Sequence, residues 1–289
     1  MDMHALQAFT EVARHGSFSG AAEALFVTQP AISKRVKALE EELGTALFDR
    51  IGRRTTLTEA GRVLLPRARE LLNEAEDMRR FASSLSDAVS GSLIMGTSHH
   101  IGLHRLPPVL KAFRASYSVV SLDIRFMDSE QACNAVESGD LELAIVTLPS
   151  AVPASLQVEP IWTDRLHVVT ETDHPLNSGR KIPLEELVTF PCVLPSSSTY
   201  THSILKEAIA GRELELNVSM TTNYLETLKM LVKTGFGWSL IPHTMVDQDV
   251  AVIETDLHLQ RELGTVIHRQ RTLSNAASEI TRTLRAHAE

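Results

Sequence analysis

The apolar positions of the first sixty residues recur at helical spacing and stop at small residues. Leu6, Phe9 and Ala13, flanked by Ala5 and Val12, predict an amphipathic helix over residues 3–14 that stops near Gly16. Ser17 is placed to cap a second helix over 18–26, rich in alanine and so open to close packing. Thr28 is placed to cap a third, which runs to about Leu43 and ends at Gly44. Pro30 falls in its first turn, where the missing amide has no partner to lose. On this helix Ile32, Val36 and Leu39 share one face and turn Gln29, Ser33, Lys34 and Lys37 outward. Two short helices and a basic third form the pattern of a helix-turn-helix, whose later helix enters the major groove. The same outward face suits an ordinary solvated helix, and the periodicity alone does not choose.

Beyond Gly44 the period changes. Ala46-Leu47-Phe48 and Thr55-Thr56-Leu57 predict the arms of a small hairpin, with Arg50, Arg53 and Arg54 around Gly52 at its tip. From Thr58 to about Ser86 a helical pattern returns. In it Leu64, Ala68, Leu71, Ala75, Met78, Ala82 and Leu85 alternate by four and three, a heptad seam that calls for a partner helix. One long helix lying on its own domain is the alternative. Pro66 removes a bond to the carbonyl of Arg62 and predicts a kink or local opening.

Ser90-Gly91-Ser92 ends that helix and an alternation of strands and helices begins. Strands are predicted at 93–96, 119–126 and 141–147, with helices at 106–116 and 129–138 between them. A second series places strands at 165–170, 192–194, 216–220 and 238–241, with helices near 201–210 and 224–233. A strand at 265–268 and a helix at about 274–287 close the chain. The alternation predicts an α/β domain with parallel strands. Trp238 and Phe236 are expected in its core.

Charge sharpens the division. The 289 residues carry a net charge of −8, which by itself argues against a nucleic-acid partner, but residues 1–69 balance to +2 and the rest to −10. A basic end on an acidic chain fits a separate DNA-binding part. The first residues lack the look of a secretory signal, and the longest uncharged stretch, 187–205, is broken by prolines and hydroxyls, so a cytoplasmic protein without a membrane segment is expected. Cys133 and Cys192 stand far apart without metal-finger spacing and read as buried thiols. There is no phosphate loop, no Gly-x-Ser-x-Gly and no dinucleotide fingerprint, because Gly235-Phe236-Gly237 lacks a third glycine and follows a helix. An enzyme is therefore not expected.

The segment TQPAISKRVKALEEELGTALFDRIGRRTTLTEAG, from Thr28 to Gly61, resembles the DNA-binding region of LysR-type transcriptional regulators. It has Thr-Gln-Pro-Ala, a Leu-Glu run ending in Leu-Gly, then Leu-Phe, Arg and Leu-Thr-x-x-Gly at the family's spacing. This resemblance, and not the periodicity, raises DNA binding above the solvated-helix reading. It implies base-edge contacts from Gln29 and Ser33, a helix set in place by Thr28 and Pro30, and phosphate or groove contacts from Lys34, Lys37, Arg50, Arg53 and Arg54. More loosely, 139–145, His174-Pro175-Leu176 and 235–242 resemble phrases of the family's effector domain. The fold implied is α/β with an N-terminal all-α winged helix-turn-helix and a periplasmic-binding-protein-like effector domain of two α/β subdomains. The parts implied are a DNA-binding domain over 1–57, a dimerisation helix over 58–90 and an effector domain over 91–289, its subdomains being 91–161 with 266–289, and 162–265. The resemblance also implies a homodimer, with tetramers common in the family, an operator of double-stranded DNA with dyad symmetry, and RNA polymerase as a candidate partner.

A ligand is then expected where strand ends meet helix starts, since free amides and a helix dipole favour an anion there. Thr97, Ser98, His99 and His100 follow the first strand; Ser197, Ser198, Thr199 and Thr201 sit in the second subdomain; Thr147 ends a strand. Hydroxyls and imidazoles on one cleft suit a small polar or anionic effector, with no further cofactor. A plain loop and helix cap is the alternative for the serine run. His100 and His104 stand at i, i+4 if their segment is helical, with His99 and His202 as neighbours, but no carboxylate or cysteine nearby in sequence completes a metal shell, and none is expected.

Overall fold

The computed structural model describes residues 1–51, 54–84, 88–212 and 214–288; the side chains at 50, 51, 54, 83 and 84 are outside that description. The chain divides into two compact units, Met1–Leu85 and Ser86–Glu289.

The first unit opens with α1 (Met3–His15), α2 (Phe18–Ala24) and α3 (Gln29–Leu43). Gly16 and Gly44 end α1 and α3 with left-handed backbone, the conformation a glycine takes at least cost. Ser17 caps α2 by accepting the Gly20 amide. Thr28 differs from expectation: it is the extended residue before α3, but its hydroxyl makes no cap hydrogen bond. Ile32, Val36 and Leu39 are buried against α1 and α2, and burying each contributes roughly 1.5–3 kcal/mol. Helix α2 stops two residues early. Phe26 takes φ +52, the Val27 amide reaches back to the Ala22 carbonyl, and the Phe26 ring stands 95% exposed.

Strands β1 (Phe48–Ile51) and β2 (Arg54–Leu57) pair antiparallel as the expected hairpin, later by two residues on its first arm. Glu40 of α3 accepts the Leu47 amide at 2.7 Å and so ties the hairpin to the third helix. Helix α4 (Glu59–Ser84) follows, helical without interruption through Pro66. Thr58 caps it by accepting the Gly61 amide at 2.9 Å while donating to the Ala46 carbonyl. A Cβ on Gly61 would sit 2.2 Å from the Leu47 carbonyl oxygen, so the glycine of Leu-Thr-x-x-Gly is the residue that lets α4 approach the hairpin. The heptad seam is not one surface. Its Leu64 and Ala68 pack on the unit's own core, whereas its Leu71 and Met78 are exposed, as is Val63 beside them.

The second unit runs β3 (Gly91–Thr97), α5 (His99–His104), α6 (Leu106–Ser116), β4 (Val120–Phe126), α7 (Ser129–Ser138) and β5 (Leu143–Thr147). A long β6 (Leu156–Thr170) precedes α8 (Leu184–Leu187), β7 (Cys192–Leu194), α9 (Tyr200–Ala208), β8 (Val218–Thr221), α10 (Leu225–Lys233), β9 (Ser239–Pro242) and β10 (Ala251–Ile253). Then β11 (Leu259–His268) and α11 (Asn275–Ala286) complete it. The main sheet has the order β10-β6-β11-β5-β3-β4, with β9 also on β6, and β7 and β8 form a separate pair. The expectation of parallel strands holds for β3 with β4 and β5 and for β7 with β8. It fails elsewhere: β11 is antiparallel to β5 and β6, and β6 to β9 and β10, so the sheet is mixed.

The cause is a chain that crosses between two lobes and returns. β6 and β11 pair along nearly their whole length and pass through both lobes. Only residues 165–170 were expected as a strand here; the first half of β6 contains Pro160, a residue that cannot donate to a ladder. The register shifts between Leu263 and Gly264, so Leu263 faces Trp162 while Gly264 faces Pro160. A Cβ on Gly264 would lie 2.0 Å from the Glu159 carbonyl oxygen, which makes this close approach another place where only glycine fits. One lobe packs β3, β5 and α6 around α11; the other packs around Trp238, which is fully buried. Phe236, expected beside it, is 47% exposed.

Candidate nucleic-acid interface and effector cleft

The outward face of α3 carries what the sequence reading placed there. Thr28, Gln29, Pro30, Lys34 and Lys37 are exposed and Ser33 is half-buried. Gln29 Nε2 donates to Ser33 Oγ at 2.8 Å, so the two residues assigned to base edges hold each other one helical turn apart. Lys37 lies 3.5 Å from Glu41 on the same helix, an exposed pair that a phosphate can displace at little cost. In the hairpin, Arg50 pairs in register with Thr55, and Ile51 with Arg54. Arg53 lies outside the described residues, as do the side chains of Arg50 and Arg54.

In the second unit a cavity of about 50 Å³ opens between the lobes, room for a few water molecules. Ser98, His99, His100, Thr147, Thr199 and Thr201 line it. Three expected residues do not. Thr97 is fully buried and donates its hydroxyl to the Ile145 carbonyl, because it ends a central strand. Ser197 and Ser198 are exposed in the turn before α9, where Ser198 Oγ meets Ser196 Oγ at 3.1 Å. Thr199 caps α9 by accepting the His202 amide.

Asp128, Ser129, Glu130, Asn223 and Arg261 also line the cavity, and none was singled out from sequence. They join the lobes. Asn223 Nδ2 donates to Asp128 Oδ2 at 2.7 Å, and the Glu130 carboxylate accepts the Tyr200 amide at the start of α9. A carboxylate of the first lobe thus occupies the anion position of a helix in the second. Burial raises Glu130 above the usual carboxylate range despite that bond.

Residues 3–62 match the family described as bacterial regulatory helix-turn-helix protein, lysR family, and residues 86–289 match the LysR substrate binding domain. The chain belongs to the LysR family. A probable RuBisCO transcriptional regulator of Thalassiosira pseudonana is 30% identical over 252 residues, covering 85% of this chain and 82% of that one. A full-length point variant of OxyR from Pseudomonas aeruginosa shares the fold with a TM-score of 0.73 at 22% identity, covering 99% and 98% of the two chains. CbnR in complex with its target DNA does so at 0.66 and 18%, covering 99% and 100%. The protein is therefore a LysR-type, DNA-binding transcription regulator, of a family of regulators and not of enzymes. Among the described residues no helix is long and apolar enough to cross a membrane.

Under the cavity of this LysR-family regulator lies an ionic cluster on the two crossing strands. Asp164 of β6 and Arg261 of β11 are register partners, joined by Arg261 Nη2 to Asp164 Oδ2 at 3.0 Å. Arg261 Nη1 donates to Thr201 Oγ1 at 3.2 Å, and Arg105 Nη2 to Asp164 Oδ1 at 2.9 Å. Burial alone would raise Asp164; the His100 imidazole, Arg261 and Arg105 outweigh it and hold the carboxyl well below its ordinary range. Burial lowers His100 below the ordinary imidazole value. No signal in the sequence marked this cluster, because β6 carries Glu159 and Arg165 besides Asp164, and β11 carries Glu262 besides Arg261. Both cysteines are buried, and burial pushes the thiols up, Cys133 to about 11 and Cys192 to about 12.

Proposed function

We propose that this regulator binds a small polar or anionic effector in the interlobe cavity and that occupancy changes how it grips its operator. The observation that carries the reading is the Glu130 carboxylate on the Tyr200 amide, an internal anion held at the α9 start across the cavity. An effector carboxylate or phosphate that takes that position displaces Glu130 and resets the lobes, since ligands shift equilibria only through such differential contacts. Thr199, Thr201, Ser98, His99 and His100 supply the surrounding donors and acceptors. The DNA side rests on Gln29 and Ser33 at base edges and on Lys34, Lys37 and the hairpin arginines at phosphates.

The exposed Val63, Leu71 and Met78 on α4 suit a homodimer contact, which sets two reading helices at a fixed separation on a dyad-symmetric operator. Tetramers of two dimers, a cytoplasmic site of action and contact with RNA polymerase follow the family pattern. Residues 1–57 then read DNA, 58–90 pair the subunits and 91–289 sense the effector. The test is a thermal-shift screen of small organic acids and phosphates, followed by footprinting on the operator with each hit. A hit that raises the melting temperature and alters the footprint supports the reading; hits that bind with an unchanged footprint and unchanged transcription overturn it.

A further inference from the structure

At the edge of the cavity, to whose lining His100 belongs, α5 and α10 bring together three side chains with metal-ligating atoms. His100 and His104 lie one turn apart on α5, with ring centroids 4.8 Å apart, and Glu226 stands in the first turn of α10, on the other lobe. His104 Nε2 is 3.2 Å from Glu226 Oε1, and one ligand atom from each of the three lies within 4.8 Å of the others. Donors around a tetrahedral zinc ion sit roughly 3.3 Å apart at bond lengths of about 2.0–2.1 Å. The His104–Glu226 separation already has that value, and His100 has to close in from at most 4.8 Å to match it.

A second observation is independent of this spacing. His100 is 4% exposed; its Nε2 stands 3.5 Å from the Asp164 carboxylate, and its Nδ1 makes no hydrogen bond. A buried ring nitrogen without a partner costs stability, and in native folds it calls for an explanation such as an ion. Asp164 Oδ2, 3.5 Å from His100 Nε2, supplies the carboxylate that commonly orients a ligating imidazole. His104 and Glu226 reach the wall of an open groove, which gives an ion a path from solvent. The lysines of that groove are already neutralised, Lys229 by Asp247 and Lys233 by Asp249, each at 2.5 Å. Arg105 and Arg261 direct their charge at Asp164.

We propose that His100, His104 and Glu226 form a binding site for a divalent transition-metal ion of the zinc type, linking the two lobes. Two imidazoles and one carboxylate with an open fourth position are a zinc donor set, whereas calcium and magnesium prefer oxygen throughout. The site shares His100 with the lining of the proposed effector cavity and takes its other two donors from outside it.

The test uses full-length protein stripped with a chelator, then dialysed against zinc chloride with metal analysis and titration calorimetry. His104→Ala and Glu226→Gln are partly exposed positions and spare the buried His100. His243→Ala serves as control, because His243 Nδ1 lies 3.3 Å from His167 Nε2 and this pair is another place where imidazoles meet. One ion per chain in the wild type and in His243→Ala, with affinity at least about tenfold weaker in His104→Ala and Glu226→Gln, supports the site. No stoichiometric zinc, binding unchanged in the double variant His104→Ala/Glu226→Gln, or binding lost only in His243→Ala overturns it. Metal content is read without DNA or effector, so its failure is separate from failure of the regulatory reading.

Discussion

The two candidate functional surfaces of this LysR-family protein handle polar groups in opposite ways. The outward face of α3 presents Gln29, Lys34 and Lys37 to solvent, where water and partners on the same helix, Ser33 and Glu41, satisfy them. The interlobe region buries Asp164, Arg261, Thr199 and Thr201, each with a partner inside the protein. The first arrangement lets single side chains change without disturbing the fold. The second binds each group to its neighbours, so a ligand there competes with internal contacts and couples to the lobes through them.

The largest expected effect falls on the buried side of that comparison. Arg261→Leu leaves Asp164 with one cation fewer in a dry site and should cost about 3–5 kcal/mol of stability, measured by denaturant unfolding. A loss below about 1 kcal/mol would mean that water reaches the cluster, as it does for exposed ion pairs, and that the contrast is overstated.

Gly61→Ala tests a place where the DNA-binding unit is as unforgiving as the cleft. The added methyl meets a backbone carbonyl and should cost about 1–3 kcal/mol, with operator and random DNA weakened alike. An unchanged melting curve would show that α4 can retreat from the hairpin.

On the solvated face, Gln29→Ala should leave the melting temperature unchanged and weaken operator binding by about 1–3 kcal/mol while binding to random DNA stays nearly the same. Equal losses on both DNAs in a titration at fixed salt would remove Gln29 from the base edge.

The smallest effect is a pH dependence. Burial lowers His174, whose Nδ1 accepts the Leu176 amide at 3.1 Å and so needs the neutral ring. The unfolded chain binds the proton more readily, so this contribution is complete above about pH 6.5 and fades as pH falls through the lower folded value. His174→Asn keeps an acceptor that does not titrate, and its melting temperature should fall less than that of the wild type between about pH 7 and about pH 5. Parallel curves would discard the assignment.

What could be read from the sequence follows the range of the interactions involved. Capping at Ser17, the glycine stops at Gly16 and Gly44, and the inward row Ile32, Val36 and Leu39 are fixed within one or two helical turns, so their residue types declare them. The hairpin and the third helix were legible for the same reason, aided by the Thr28-to-Gly61 motif. Ser98, His99, His100, Thr147, Thr199 and Thr201 could be placed near strand ends by local pattern, and the structure gathers them.

Other features exist only through distance in the chain. Arg261 meets Asp164 across 97 residues, and Glu226 reaches His104 across 122. Ser197 and Ser198 resemble cleft hydroxyls in sequence, yet the turn before α9 faces them outward. By itself the sequence determined the DNA-reading end, the helix that follows it and an α/β remainder, because periodicity, caps and turn residues act locally. The tertiary structure alone decided the mixed sheet, the Glu130 contact across the cavity and the cluster of His100, His104 and Glu226. Each of these joins segments far apart in the chain, and loop closure over that many residues leaves no mark on the local pattern.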